Sequence, residues 1–162
     1  MSIRVLLADD HQMLRDGLRA VLALEDDVEV VGEANDGQAA VEMAERLAPD
    51  VVLMDIGMYG LNGVEATSRI KAENPKVKVI ALSTYSDKRY VLSMLEAGAS
   101  GYVLKAAAVD EMCRAVRAVA DGKRYLSPDI AGVVVDAHLS GPDQSSASPS
   151  SILGSREREV LQ

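Results

Sequence analysis

The chain has 162 residues, enough for one packed domain and a small appendage, and 48% of them are hydrophobic. Its 25 acidic residues outnumber 17 basic ones, and the net charge of −8 excludes a stand-alone nucleic-acid binder, which needs a concentrated basic surface. A single cysteine, Cys113, excludes an intrachain disulfide and suits a reducing cytoplasm. No N-terminal apolar run is long enough for a signal peptide or a membrane span.

With no Trp and no Phe, the core must be built from Val, Leu, Ile, Ala and Met. Short β-rich runs alternate with longer amphipathic ones. The first run predicts a strand over 3–8, and the next a helix over 12–24 with Leu14, Leu18, Val21 and Leu22 on one core-facing side. A strand over 28–34 follows, then Asn35-Asp36-Gly37 as turn chemistry before a helix over 37–47. Pro49 closes that helix, and 51–54 reads as a strand. The pattern repeats as helix 62–73, strand 77–82, helix 87–97 stopped by Gly98, strand 101–104 and helix 108–121. Val109, Met112, Cys113, Val116 and Ala120 share one face of the last helix, so Cys113 reads as a small core residue. Strands that alternate with helices predict a doubly wound α/β fold with a five-stranded parallel sheet.

Beyond Gly122 the pattern changes. Ser127-Pro128 opens an extra helix over 128–138, because Pro is favoured at a first helical position. Residues 140–151 are dominated by Ser, Pro and Gly, which is linker composition. The stretch from Ser155 to Gln162 opens like a capped helix and then stops, as a truncated second domain would. The expected division is therefore 1–125, 126–154 for extra helix and linker, and 155–162.

Five residues stand at the C-terminal ends of four of the strands: Asp9, Asp10, Asp55, Ser83 and Lys105. In an open parallel sheet those ends share one edge, where ligands bind. Crowded carboxylates favour a cation, and hard oxygen donors beside a phosphate site favour Mg²⁺. Such a cation neutralises the charge that repels a phosphoryl group from a carboxylate nucleophile. Lys105 supplies a mobile positive charge that can pair with Asp55, and Ser83 a hydroxyl donor. His11 reads as a residue flanking the acid pair rather than as a ligand, and His138 has no assigned role. No Walker-type glycine-rich loop and no zinc-type Cys/His spacing occur.

Leu7-Ala-Asp9-Asp10-His11, Leu53-Met-Asp55-Ile, Ala81-Leu-Ser83 and Gly101-Tyr-Val-Leu-Lys105 together resemble the receiver domain of two-component response regulators over residues 3–122. Leu14-Arg-Asp-Gly-Leu18 and Asn62-Gly-Val-Glu-Ala-Thr67 resemble the NarL/FixJ subfamily, and Ser155–Leu161 looks like the start of its LuxR-type helix-turn-helix output domain. The resemblance implies a flavodoxin-like sheet of order 2-1-3-4-5. It implies phosphoryl transfer from a sensor histidine kinase, or a small phosphodonor, to Asp55. Asp9, Asp10, Asp55 and the Gly57 carbonyl would hold Mg²⁺, Asp10 directly and Asp9 through water. Ser83 would be the switch hydroxyl and Tyr102 the aromatic switch that turns inward. The intact protein would control transcription through DNA, whereas this fragment would not bind DNA specifically. A homodimer is compatible with the resemblance, and a membrane partner is not expected.

Three departures stand out. Tyr59 and Ala106 occupy positions where the family usually has Pro, and Gly57 loosens the loop expected to ligate the metal. Gly57 and Tyr85 are expected to tune the lifetime of the phosphorylated state. Two rivals exist. A Mg²⁺-dependent aspartyl phosphatase would need an acid where Gly57 stands. A degenerate receiver that only binds protein would lack Asp55 or Lys105, and both are present.

Overall fold

The computed structural model describes residues 2–58, 60–84, 88–107 and 109–140. In chain order the elements are β1 (Ile3–Ala8), α1 (Gln12–Leu22), β2 (Val28–Ala34), α2 (Gly37–Leu47), β3 (Val51–Asp55) and α3 (Gly63–Glu73). They continue as β4 (Lys78–Ser83), α4 (Lys88–Glu96), β5 (Gly101–Leu104), α5 (Val109–Ala120), β6 (Tyr125–Leu126) and α6 (Pro128–Ser140). All strand pairs are parallel, in the order β2-β1-β3-β4-β5-β6. The expected five strands keep their expected order, and β6 is an addition at the edge.

The central strands β1, β3 and β4 bury almost every side chain, as strands covered on both faces must. Val5, Leu7, Val51, Leu53, Ile80, Leu82 and Val103 pack with Met112, Cys113, Val116 and Val119 of α5 in one cluster. Cys113 is thus a core residue, and burial raises its thiol pKa. On α5 the pattern reading misplaces one residue: Ala120 is exposed, while Ala115 and Val119 are buried. On α1 only Leu22 is fully buried. Leu14, Leu18 and Val21 are half-covered and line an apolar cleft of about 590 Å³ with Met13 and Met112.

Local chemistry sets the helix ends. Asp36 caps α2 by accepting from the Ala39 amide at 2.7 Å, and Asn62 caps α3 by accepting from Glu65 at 2.9 Å. The α1 helix stops at Leu22, two residues earlier than its apolar pattern suggests. Ala23 caps it, and Leu24 is exposed. Ala48 ends α2 in the left-handed region, just ahead of Pro49. Arg117 of α5 grips the turn between α1 and β2 through both oxygens of Asp27, at 2.8 and 2.9 Å, and through Glu25.

A compact unit ends at Ser127, and a second begins at Pro128 with α6. The boundary expected after residue 125 would cut β6, whose two residues pair with Gly101 and Tyr102. Two residues are too few for a periodic signal, so pattern reading passes over this strand. Within α6, Pro128 holds the first position and Asp129 lies in the first turn, both favourable at a helix N-terminus. Tyr59, Tyr85, the linker after residue 140 and the segment 155–162 lie outside the described residues.

Gly63 opens α3 directly behind the end of β3. A Cβ there would lie 2.4 Å from the Asp55 carbonyl oxygen and 2.7 Å from Ile56 Cα, both rigid backbone. Gly63→Ala is therefore expected to destabilise the protein by at least about 2 kcal/mol, as overpacking against backbone does. Urea unfolding monitored by circular dichroism checks this, and an unchanged midpoint would show that the loop yields freely.

Candidate functional site

The site lies where the strand order reverses, between the C-terminal ends of β1 and β3. Ala8 is in register with Met54, so the next residues, Asp9 and Asp55, emerge side by side. Asp55 pairs with Leu82, and Ser83 with Leu104, which brings Ser83 and Lys105 to the same edge. The Lys105 amide donates to the Ser83 carbonyl at 2.8 Å and fixes where that chain leaves the sheet.

Three charged groups meet there. The Lys105 ammonium lies 3.1 Å from Asp9 Oδ2 and 3.2 Å from Asp55 Oδ1. Both carboxylates are almost wholly buried, at 1% and 4% exposure, whereas Asp10 is exposed. The Gly57 amide donates to Asp55 Oδ1 at 3.1 Å. Asp9 Oδ2 and Asp55 Oδ2 are buried without a well-formed hydrogen bond among the described residues. For Asp9 Oδ2 the lysine is close enough for charge attraction but not aligned for a hydrogen bond, so its contact counts as an ion pair alone. Buried polar atoms are rarely left so, and two in one cluster mark a place for a cation.

One oxygen each from Asp9, Asp10 and Asp55, with a ring nitrogen of His11, lie within 4.8 Å of one another. The residues present therefore fit a divalent metal. His11 Nδ1 is 3.0 Å from Asp9 Oδ1 and 3.0 Å from Asp10 Oδ1. Sequence reading set this histidine beside the site, but the structure turns its ring into it. Arg15, one turn into α1, donates to the Asp9 carbonyl and contacts Glu33 at 3.3 Å, which anchors the acidic turn. Neither residue carries a signal in spacing alone, because their roles depend on how the turn after β1 folds back.

Ser83 is buried at the end of β4. Tyr102 on β5 has 0% exposure, so the ring expected to turn inward is inside already. Gly57 sits in the turn after β3, and a Cβ there would meet only Asp55 Oδ1, at 3.9 Å. No peptide bond among the described residues is cis, including the one before Ala106.

The profile of the response regulator receiver domain matches residues 5–117. The chain belongs to that family. Transcriptional regulatory protein DegU of Brevibacillus brevis is 40% identical over 174 aligned positions, covering 99% of this chain and 74% of that protein. LiaR of Bacillus subtilis is 42% identical over 159 positions, covering 98% of this chain and 74% of its own. Among solved structures, a LuxR-family response regulator from Aurantimonas sp. SI85-9A1 superposes with a TM-score of 0.82 at 32% identity, covering 86% of this chain and 99% of that one. The receiver domain of a NarL response regulator from Mycobacterium tuberculosis gives 0.73 at 34% identity, over 75% of this chain and 98% of its own. The protein carries the receiver domain of a two-component response regulator of the LuxR/NarL type, a switch-protein family. No described helix is long and apolar enough to cross a membrane.

Burial, and then the charge of Asp9, raise the Asp55 carboxyl above the ordinary carboxylate range. The Gly57 amide and Lys105 pull the other way without reversing the shift. A raised folded value means that stability from Asp55 is full below its unfolded pKa of about 3.9 and is lost as pH rises through the folded value. Asp55→Asn keeps the shape and cannot ionise. In chelator at pH 7 this variant is expected to melt above the native protein, with the difference closing toward pH 4. Calorimetry at both pH values checks it, and an equal difference at both would sink the burial account.

Proposed function

We propose that Asp55 accepts a phosphoryl group from a sensor histidine kinase, or from a small phosphodonor, and that the modified site switches the domain. The observation that carries this reading is the convergence of two buried carboxylates and the Lys105 ammonium at the sheet's switch point. A carboxylate oxygen of Asp55 forms the new bond to phosphorus. With a phosphohistidine the phosphorus–nitrogen bond breaks and its electron pair stays on the departing imidazole, which takes up a proton. With acetyl phosphate the phosphorus–oxygen bond breaks and its electron pair leaves with acetate. Lys105 then has a phosphoryl oxygen within reach in place of the Asp55 oxygen. Ser83 would donate its hydroxyl to the same group, and Tyr102 would lock the shifted arrangement.

Asp10 and Asp55 with the Gly57 carbonyl would hold Mg²⁺, with Asp9 acting through water. The bound cation offsets the carboxylate charge that otherwise repels the incoming phosphoryl group. The Gly57 and Tyr85 positions would tune how long the phosphorylated state lasts. The domain acts as a phosphoacceptor rather than as a turnover enzyme, in the cytoplasm where a kinase can meet it. Residues 126–154 would be extra helix and linker, and 155–162 the start of a helix-turn-helix domain. Through that domain the whole protein would bind DNA and control transcription. Dimers of RcsB, a structure 26% identical, have been seen on DNA, which supports a homodimer here.

Intact mass after incubation with acetyl phosphate tests the core of this reading. The native chain with Mg²⁺ is expected to gain one phosphoryl group, while the chain in chelator and Asp55→Asn gain none. Sustained hydrolysis of phosphomonoesters would favour an aspartyl phosphatase. A gain that survives Asp55→Asn would place the acceptor elsewhere.

A further inference from the structure

Resting on the cation site just proposed, we propose that His11 is itself a ligand of that site. The centre is then a mixed carboxylate–imidazole site that holds borderline divalent metals such as Mn²⁺ and Zn²⁺ more tightly than carboxylates alone would.

Three observations carry this. The first is spacing. His11 Nδ1 stands 3.0 Å from an oxygen of Asp10, the acid proposed to ligate directly, and shares a 3.0 Å hydrogen bond with Asp9 Oδ1. Neighbouring donors of an octahedral metal with bonds of about 2.1 Å lie about 3.0 Å apart. The imidazole nitrogen therefore already sits at the distance from Asp10 that one ligand takes from the next. Second, His11 is the N-cap residue of α1, yet its side chain makes no cap hydrogen bond. Ser, Thr, Asp or Asn would serve that position better, so helix formation gives no reason for a histidine. Its ring turns back onto the acidic pair instead. Third, Asp9 Oδ2 and Asp55 Oδ2 are buried without a hydrogen-bond partner among the described residues. The Lys105 ammonium, at 3.1 and 3.2 Å from Asp9 and Asp55, is one positive charge against the cluster's three carboxylates, and the Arg15 guanidinium is engaged by the Asp9 carbonyl and Glu33.

The donor set decides the preference. Mg²⁺ takes oxygen ligands and keeps its waters, so it gains little from an imidazole. Mn²⁺ and Zn²⁺ accept nitrogen readily, and imidazole is a common ligand for zinc. Binding through Nδ1 needs the ring proton at Nε2. The ring is 67% exposed, so water can carry the proton from one nitrogen to the other with no net loss. The nitrogen lone pair then forms the bond, and nothing is oxidised or reduced.

The test compares the native chain with His11→Ala and His11→Asn. Calorimetric titration with MgCl₂, MnCl₂ and ZnCl₂ gives the affinities, and electron spin-echo modulation of bound Mn²⁺ reports directly ligated nitrogen. Expected are an imidazole nitrogen signal in the native protein that disappears in both variants, and a loss of Mn²⁺ and Zn²⁺ affinity on the order of tenfold or more. Mg²⁺ affinity should change less than about twofold, which also shows that the variants are folded. Mg²⁺ binding with no nitrogen signal, or Mn²⁺ affinity unchanged in both variants, overturns the role of His11 and leaves the phosphoacceptor site standing. Failure of every divalent cation to bind the native chain overturns the cation site itself, and this inference with it.

Discussion

Two carboxylates that share one ammonium in a nearly dry pocket are the constraint around which this domain is arranged. Charges at about 4 Å interact by only about 1 kcal/mol in water and several times that where water is excluded. Asp9 and Asp55 therefore repel strongly, and Lys105 can neutralise only one of them. Burial first, and then the charge of Asp9, push the Asp55 carboxyl up, and one oxygen of each aspartate is buried without a hydrogen bond among the described residues. A cation or a covalent change at Asp55 alters the charge count, and the surroundings must respond. A switch needs that sensitivity, and a wholly neutralised pocket would not have it.

The backbone bears the cost of holding the pair in place. The β1–β3 register puts Asp9 beside Asp55, and Arg15 clamps the Asp9 carbonyl from α1. Behind Asp55, α3 approaches so closely that only a glycine fits at its first position. A Cβ at Gly37 would likewise fall 2.0 Å from the Leu61 carbonyl oxygen. The approach at Gly63 leaves the end of β3 little room to shift, and two like charges buried side by side need such a frame.

The five main strands were legible in the sequence, because each central strand is a continuous apolar run ended by a polar residue, whereas their order came only from the motifs' resemblance to a known family. Asp9, Asp10, Asp55 and Lys105 were legible for the same reason: each follows such a run, and topology does the rest. Less legible was anything that depends on how a turn folds. His11 looked peripheral because adjacency along the chain says nothing about ring direction. Apolar periodicity also overstated the burial of α1, since a face with the right spacing is covered only where another element lies against it. On α5, Ala120 fits the spacing but stands past the end of the packed surface.

The missed strand β6 shows why short elements can matter out of proportion to their signal. The Tyr125 amide donates to the Ser100 carbonyl at 3.1 Å, and the Ser127 amide to the Tyr102 carbonyl at 3.0 Å. Glu111 of α5 accepts from the Tyr125 hydroxyl at 2.9 Å and from the Ser127 hydroxyl at 3.4 Å. The chain leading into Pro128 is thus tied at its backbone to β5 and at its side chains to α5. On its other side β5 pairs with β4, which ends in Ser83, and runs on into Lys105. A shift of β5 by even half an ångström would stretch the bonds that hold β6, since hydrogen bonds weaken steeply with misalignment. The strand that carries Tyr102 therefore borders both the charged pocket and the exit of the chain from the sheet.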